Sequence, residues 1–90
     1  MTPALSPAFA EIKRLRTAGD HPAAFALIQS SAPASDADAL EAVVSLYCAG
    51  NTDSALRCAR AWPWREDWTR RTGAALAVLI EGRDPQPALA

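Results

Sequence analysis

Hydrophobic residues along this chain recur at helical spacing in blocks separated by Gly, Pro and small polar residues. Phe9, Ile12 and Leu15 fall on one narrow face, with Glu11, Lys13, Arg14 and Arg16 elsewhere. Ser6 before Pro7 marks an N-cap and first turn, so the spacing predicts a helix over about 7–18, closed by Gly19-Asp20. Ala24, Phe25, Leu27 and Ile28 carry a second helix over about 21–31. Ser35 followed by Asp38 resembles a capping box and opens a third at about 36–49, stopped by Gly50-Asn51. A fourth runs over about 53–61 to the break at Trp62-Pro63-Trp64. The fifth spans about 65–81 and ends at Gly82, with Pro85 and Pro87 against simple continuation.

The blocks repeat. Leu15-Arg-Thr-Ala-Gly19-Asp20-His-Pro-Ala-Ala24-Phe25 aligns with Leu46-Tyr-Cys-Ala-Gly50-Asn51-Thr-Asp-Ser-Ala55-Leu56, 31 residues on. Each unit has Gly at the turn, Asp or Asn placed to cap the next helix, and Ala five residues after Gly. Gly permits a left-handed turn, and the small Ala lets the second helix approach the first. A third echo runs from Gly82 to Pro87-Ala88-Leu89. These are the mechanics of a tetratricopeptide-like helix–turn–helix array, whose nominal period is about 34 residues. An ordinary antiparallel bundle with Gly turns is the plainer alternative.

Two segments are more apolar than one buried face requires. In Ala39–Ala49 only Glu41 and Ser45 are polar, and Gly73–Ile80 is apolar on every side. A surface helix needs an apolar stripe only slightly wider than about 100°. In a tetratricopeptide register Val43, Leu46, Ala75 and Val78 face the paired helices. Leu40, Val44, Tyr47, Leu76 and Leu79 are left to line a concave side that accepts an amphipathic helix from another protein. The plainer reading makes both helices central in a small bundle. Trp62, Trp64 and Trp68 read as packing at a helix junction, with Trp68 also a candidate anchor of the groove. Arg57, Arg60, Arg65, Arg70 and Arg71 read as a solvated face partly paired with Glu66 and Asp67.

Ninety residues allow one small domain, taken as 1–90. Half are hydrophobic, but 21 are Ala, which leaves a thin core of larger side chains. Three Val and three Ile argue against a sheet, so the fold class is all-α with about five helices. A net charge of −1 gives no footprint for nucleic acid, and no basic recognition helix supports a DNA-binding protein. No apolar run approaches a membrane span, and the first residues lack a signal-peptide pattern, so a cytoplasmic chain is expected. Cys48 and Cys58 fit no metal or redox spacing and read as small packing residues, and His21 reads as surface. No nucleophile elbow, phosphate loop or ligand cluster supports an enzyme, a cofactor or a metal site.

The stretch Ser45-Leu-Tyr-Cys-Ala-Gly-Asn-Thr-Asp-Ser-Ala-Leu56, then Trp62-Pro63, Glu66-Asp67-Trp68 and Gly73-Ala-Ala-Leu76, resembles the YscG/PscG-type chaperones of bacterial type III secretion. The resemblance covers about residues 36–85. Thr52 or Asp53 stands where the family has an aromatic after the turn, and Asp67 where it has Pro. The resemblance implies a tetratricopeptide-like, non-enzymatic cytoplasmic chaperone. It would hold the C-terminal amphipathic helix of the needle subunit in its concave face, together with a second small helical co-chaperone. A general helical adapter unconnected with secretion is the alternative.

Overall fold

A computed structural model describes residues 5–83 of the chain. Five helices follow in order: α1 Pro7–Thr17, α2 His21–Gln29, α3 Asp36–Cys48, α4 Thr52–Ala61 and α5 Asp67–Arg83. No strand occurs among the described residues, so the chain is an all-α helical array. The helix count agrees with the hydrophobic pattern, and the boundaries shift by one or two residues. The larger departure is Gly82, which lies inside α5 instead of ending it. The third echo of the repeat at Pro87-Ala88-Leu89 falls outside the described residues.

The two turns of the repeat are the same structure. Gly19 and Gly50 both adopt left-handed backbone, with φ of 84° and 85°. At the first turn the Asp20 N–H donates to Leu15 C=O and the Gly19 N–H to Arg16 C=O. At the second the Asn51 N–H donates to Leu46 C=O and the Gly50 N–H to Tyr47 C=O. This double bond pattern satisfies helix carbonyls that would otherwise lack donors. Ala24 and Ala55, five residues after each Gly, are completely buried at the helix pairs. The starts of the second helices differ. Asp20 accepts the Ala23 N–H, whereas Asn51 makes no side-chain cap bond.

Helices α1, α3 and α5 lie side by side, and α2 and α4 pack behind them. The thin dimension of 19 Å fits two layers of helices. One core cluster joins Phe9, Ile12, Ala24 and Ala42 across α1, α2 and α3. The other joins Val43, Leu46, Ala55, Ala59, Ala77 and Ile80 across α3, α4 and α5. Helix α3 touches all four others and belongs to both clusters. Its wide apolar arc therefore has two causes, since Ala39, Ala42, Val43 and Leu46 are core while Leu40, Val44 and Tyr47 are only half-buried.

The expected register of α5 needs correction. Ala75 and Val78 do not face the paired helices. Ala75 is exposed, Val78 is 68% exposed, and Ala77 and Ile80 are buried instead. Two contacts set this rotation. Thr69 is anchored to Asp36 of α3. Gly73 lies against the Trp64 indole so closely that an added Cβ would come within 2.6 Å of the ring. Thr69, Gly73, Leu76, Ala77 and Ile80 thus form the inward face, at spacings of four, seven, eight and eleven.

Candidate helix-binding groove

Three acidic residues of α3 position the walls of the groove. Asp36 is almost fully buried at the start of the helix. Its Oδ1 accepts the Trp62 indole N–H at 2.8 Å. Its Oδ2 accepts the backbone N–H groups of Arg65 and Glu66 at 2.9 Å each and the Thr69 hydroxyl at 2.5 Å. Burial pushes the Asp36 carboxyl toward a higher pKa. The four donors outweigh it, and the group sits well below the usual carboxylate range. One carboxylate thereby caps the start of α5 from a different helix.

Asp38 does the same for α1. Its Oδ1 accepts the Ser6 N–H and its Oδ2 the Ala34 N–H, both at 2.9 Å, while its own N–H donates to Ser35 Oγ at 3.3 Å. The capping box therefore forms in one direction only. Ser6 occupies the N-cap of α1 without a side-chain cap bond. Farther along α3, Glu41 takes two bonds from the Arg16 guanidinium, at 2.7 and 3.1 Å, and one from the Ser45 hydroxyl at 2.6 Å. The hydrogen bond to Glu41 strengthens the hold of Arg16 on its proton.

With α3 tied to both neighbours, α3 and α5 run parallel. Asp36 meets Thr69 at their starts, and Tyr47 lies near Leu79 toward their ends. Along the exposed face of α3 runs an apolar trough with two hollows, one between α3 and α5 and one among α1, α3 and the start of α5. Val43, Val44, Tyr47, Leu76, Leu79 and Ile80 line one of about 170 Å³. Leu40, Val44 and Trp68, with Leu5, Lys13, Ala37 and Glu41, line one of about 240 Å³. The six residues singled out from the sequence (Leu40, Val44, Tyr47, Leu76, Leu79 and Trp68) stand around this trough, with Val44 shared by the two hollows. Leu79 is 51% exposed and Trp68 49%, so the lips of the trough are open. Leu76 packs partly against the core and forms the floor more than the lip.

The other candidate residues separate by location. Trp62 and Trp64 are junction packing, with the Trp64 indole donating to Ala59 C=O at 2.9 Å. The Trp68 indole donates to Glu66 at 2.7 Å and leaves its ring beside the trough. Arg70 and Arg71 pair with Asp67, at 3.4 and 2.9 Å, and Arg60 pairs with Glu81 instead of the acidic residues expected. Cys48 is exposed, contrary to its reading as packing. Cys58 is half-buried, and burial pushes its thiol pKa up. His21 is half-buried rather than a surface residue, and its Nδ1 is shielded from water without a hydrogen-bond partner. Among the described residues no group of three His, Cys, Asp or Glu side chains is placed to hold a metal ion, and no helix is long and apolar enough to cross a membrane.

The reach of Asp36 and the mutual tie of Arg16 with Glu41 carry no local signal in the sequence. Each partner lies 25 or more residues away, so no local spacing marks them. Compared with known proteins, the chain matches no family, and no curated protein or solved structure is significantly similar to it.

Proposed function

We propose that this chain is a helix-binding chaperone of the type III secretion kind, acting in the cytoplasm. In this reading its α3–α5 trough covers the amphipathic C-terminal helix of a needle-type subunit, and a small helical co-chaperone completes the complex. The observation that carries the reading is the open apolar track. Leu40, Val44 and Tyr47 recur at four and seven residues along α3, opposite Leu76 and Leu79 on α5, with Trp68 at one end. A partner helix with apolar residues at the same spacing presents a matching stripe about two turns long. A subunit that polymerises through such a stripe must have it covered until assembly begins. No catalytic role is assigned.

Calorimetric titration with a synthetic C-terminal helix of a needle subunit tests the proposal. Wild type should bind, and Val44→Asp and Leu79→Asp should each weaken binding at least about tenfold by setting a charge beneath the apolar stripe. Circular dichroism should show both variants folded, because Val44 is half-buried and Leu79 half-exposed. Absence of binding by wild type, or equal binding by folded variants, rejects the reading.

A further inference from the structure

Among the described residues, the flank of α5 turned away from the trough carries exposed side chains. Arg70, Ala74, Val78 and Glu81 gather on it at helical spacing, beside a hollow of about 350 Å³ bordered by Ala59, Arg60 and Trp64. The 31-residue offset places Ala74 where the earlier units have Ile12 and Val43. Those two are fully buried, Ile12 with Ala24 of α2 and Val43 with Ala55 and Ala59 of α4. Ala74 is exposed, and Val78 is 68% exposed. Among the described residues, no helix does for α5 what α2 does for α1 and α4 for α3.

We propose that this flank pairs with the same flank of a second copy of the chain, antiparallel about a two-fold axis. The charge pattern selects that occupant. Arg70 stands at one end and Glu81 at the other, three turns apart, with the exposed Ala74 and Val78 between them. Antiparallel pairing sets Arg70 of each copy opposite Glu81 of its mate and Ala74 beside Val78. One surface thus forms both ion pairs, as a two-fold contact requires. Parallel pairing opposes like charges at both ends. The small Ala74 between them lets the two helix axes come close. Arg60 already pairs with Glu81 and Arg70 with Asp67, so the pairs across the axis extend existing networks. The contact is a single helix pair about 18 Å long, at the small end of interface sizes, so the dimer is a transient one of micromolar affinity. Leu79 and Trp68 lie on the opposite side of α5, so the inference stands apart from the proposed function.

Sedimentation velocity of the full chain from about 5 to 500 µM, in about 50 mM salt, reads the association directly. The wild type should shift from monomer to dimer across this range. Arg70→Glu and Glu81→Arg should each weaken association about tenfold or more by opposing like charges across the axis. The double reversal, Arg70→Glu with Glu81→Arg, should restore it to within about threefold, since the pattern is again self-complementary. Val78→Asp, at an exposed position, should abolish association while leaving the circular dichroism spectrum unchanged. A monomer at every concentration overturns the proposal, as it would if residues 84–90 or a different protein occupied the flank. Association that the single reversals leave unchanged, or that the double reversal fails to restore, overturns it as well.

Discussion

Asp36 holds more of this fold than its place in the sequence indicates. An acidic residue in the first turn of a helix ordinarily serves that helix's own N–H groups. Here the carboxylate reaches across to Trp62, Arg65, Glu66 and Thr69, and fixes the angle at which α5 leaves the junction. Removing it leaves the half-buried Trp62 indole and the Arg65 and Glu66 N–H groups without their acceptor, while the Thr69 hydroxyl keeps only the Glu66 carbonyl at 2.8 Å. Asp36→Ala should therefore cost about 2–4 kcal/mol in a urea titration, with Asp36→Asn intermediate. The pH dependence has a definite sign. The folded-state pKa lies below the unfolded value of about 3.9, so this stabilisation is complete above about pH 4 and drains away as pH falls further. The acid limb of a stability–pH profile should flatten in Asp36→Asn relative to wild type. At Gly50 the issue is backbone alone. Its φ is 85° and no atom lies within 4 Å of an added Cβ. Gly50→Val should cost about 1–2 kcal/mol by strain in the left-handed region, without a steric clash.

The helices and their turns were largely legible in the sequence because their causes are local. Gly19 and Gly50 end helices through bonds spanning five residues, and Ala24 and Ala55 follow at fixed distance. The rotation of α5 was not legible. Gly73–Ile80 is apolar all round, so periodicity cannot say which side turns inward. That choice is made by tertiary contacts, the Thr69 hydroxyl on Asp36 and the Gly73 backbone on the Trp64 ring. The same ambiguity left the trough readable only in part. Leu40, Val44 and Tyr47 follow from the register of α3, whose Glu41 and Ser45 mark a polar position, while Val78 was assigned inward and is exposed. Paired substitutions separate the registers. Ala77→Lys should cost at least about 2 kcal/mol by burying a charge, whereas Ala75→Lys should stay within about 0.5 kcal/mol of wild type. Gly73→Ala should cost about 1–3 kcal/mol as the indole is displaced. Chemical denaturation of the three variants checks the assignment.

On the scale of the whole molecule, the chain buries its large apolar side chains unevenly along the row of α1, α3 and α5. The largest fully buried side chains are Phe9, Ile12 and Val43, while Leu79, Val78 and Trp68 face outward. The contacts of α1 with α2, and of α3 with α4, are closed by a full helix on each side. Among the described residues helix α5 is held by α3 and α4, and its inward face carries mostly small side chains, Thr69, Gly73 and Ala77, where α1 buries Phe9 and Ile12. The array should therefore open at α5 first, because an element that buries less apolar side chain has the lowest local opening free energy. Hydrogen exchange should show the amides of α5 least protected of the three parallel helices, and those of α3 most. An occupant of the trough touches both α3 and α5, so it closes the weaker edge against the stronger. A ligand that binds only the folded state stabilises it by about 2.7 kcal/mol at one hundred times its Kd. A needle-type helix bound in the trough should thus raise the melting temperature and add protection chiefly in α5. The Val44→Asp chain should show neither effect at the same peptide concentration. Protection that rises instead in α1 and α2 places the occupant on another face of the array.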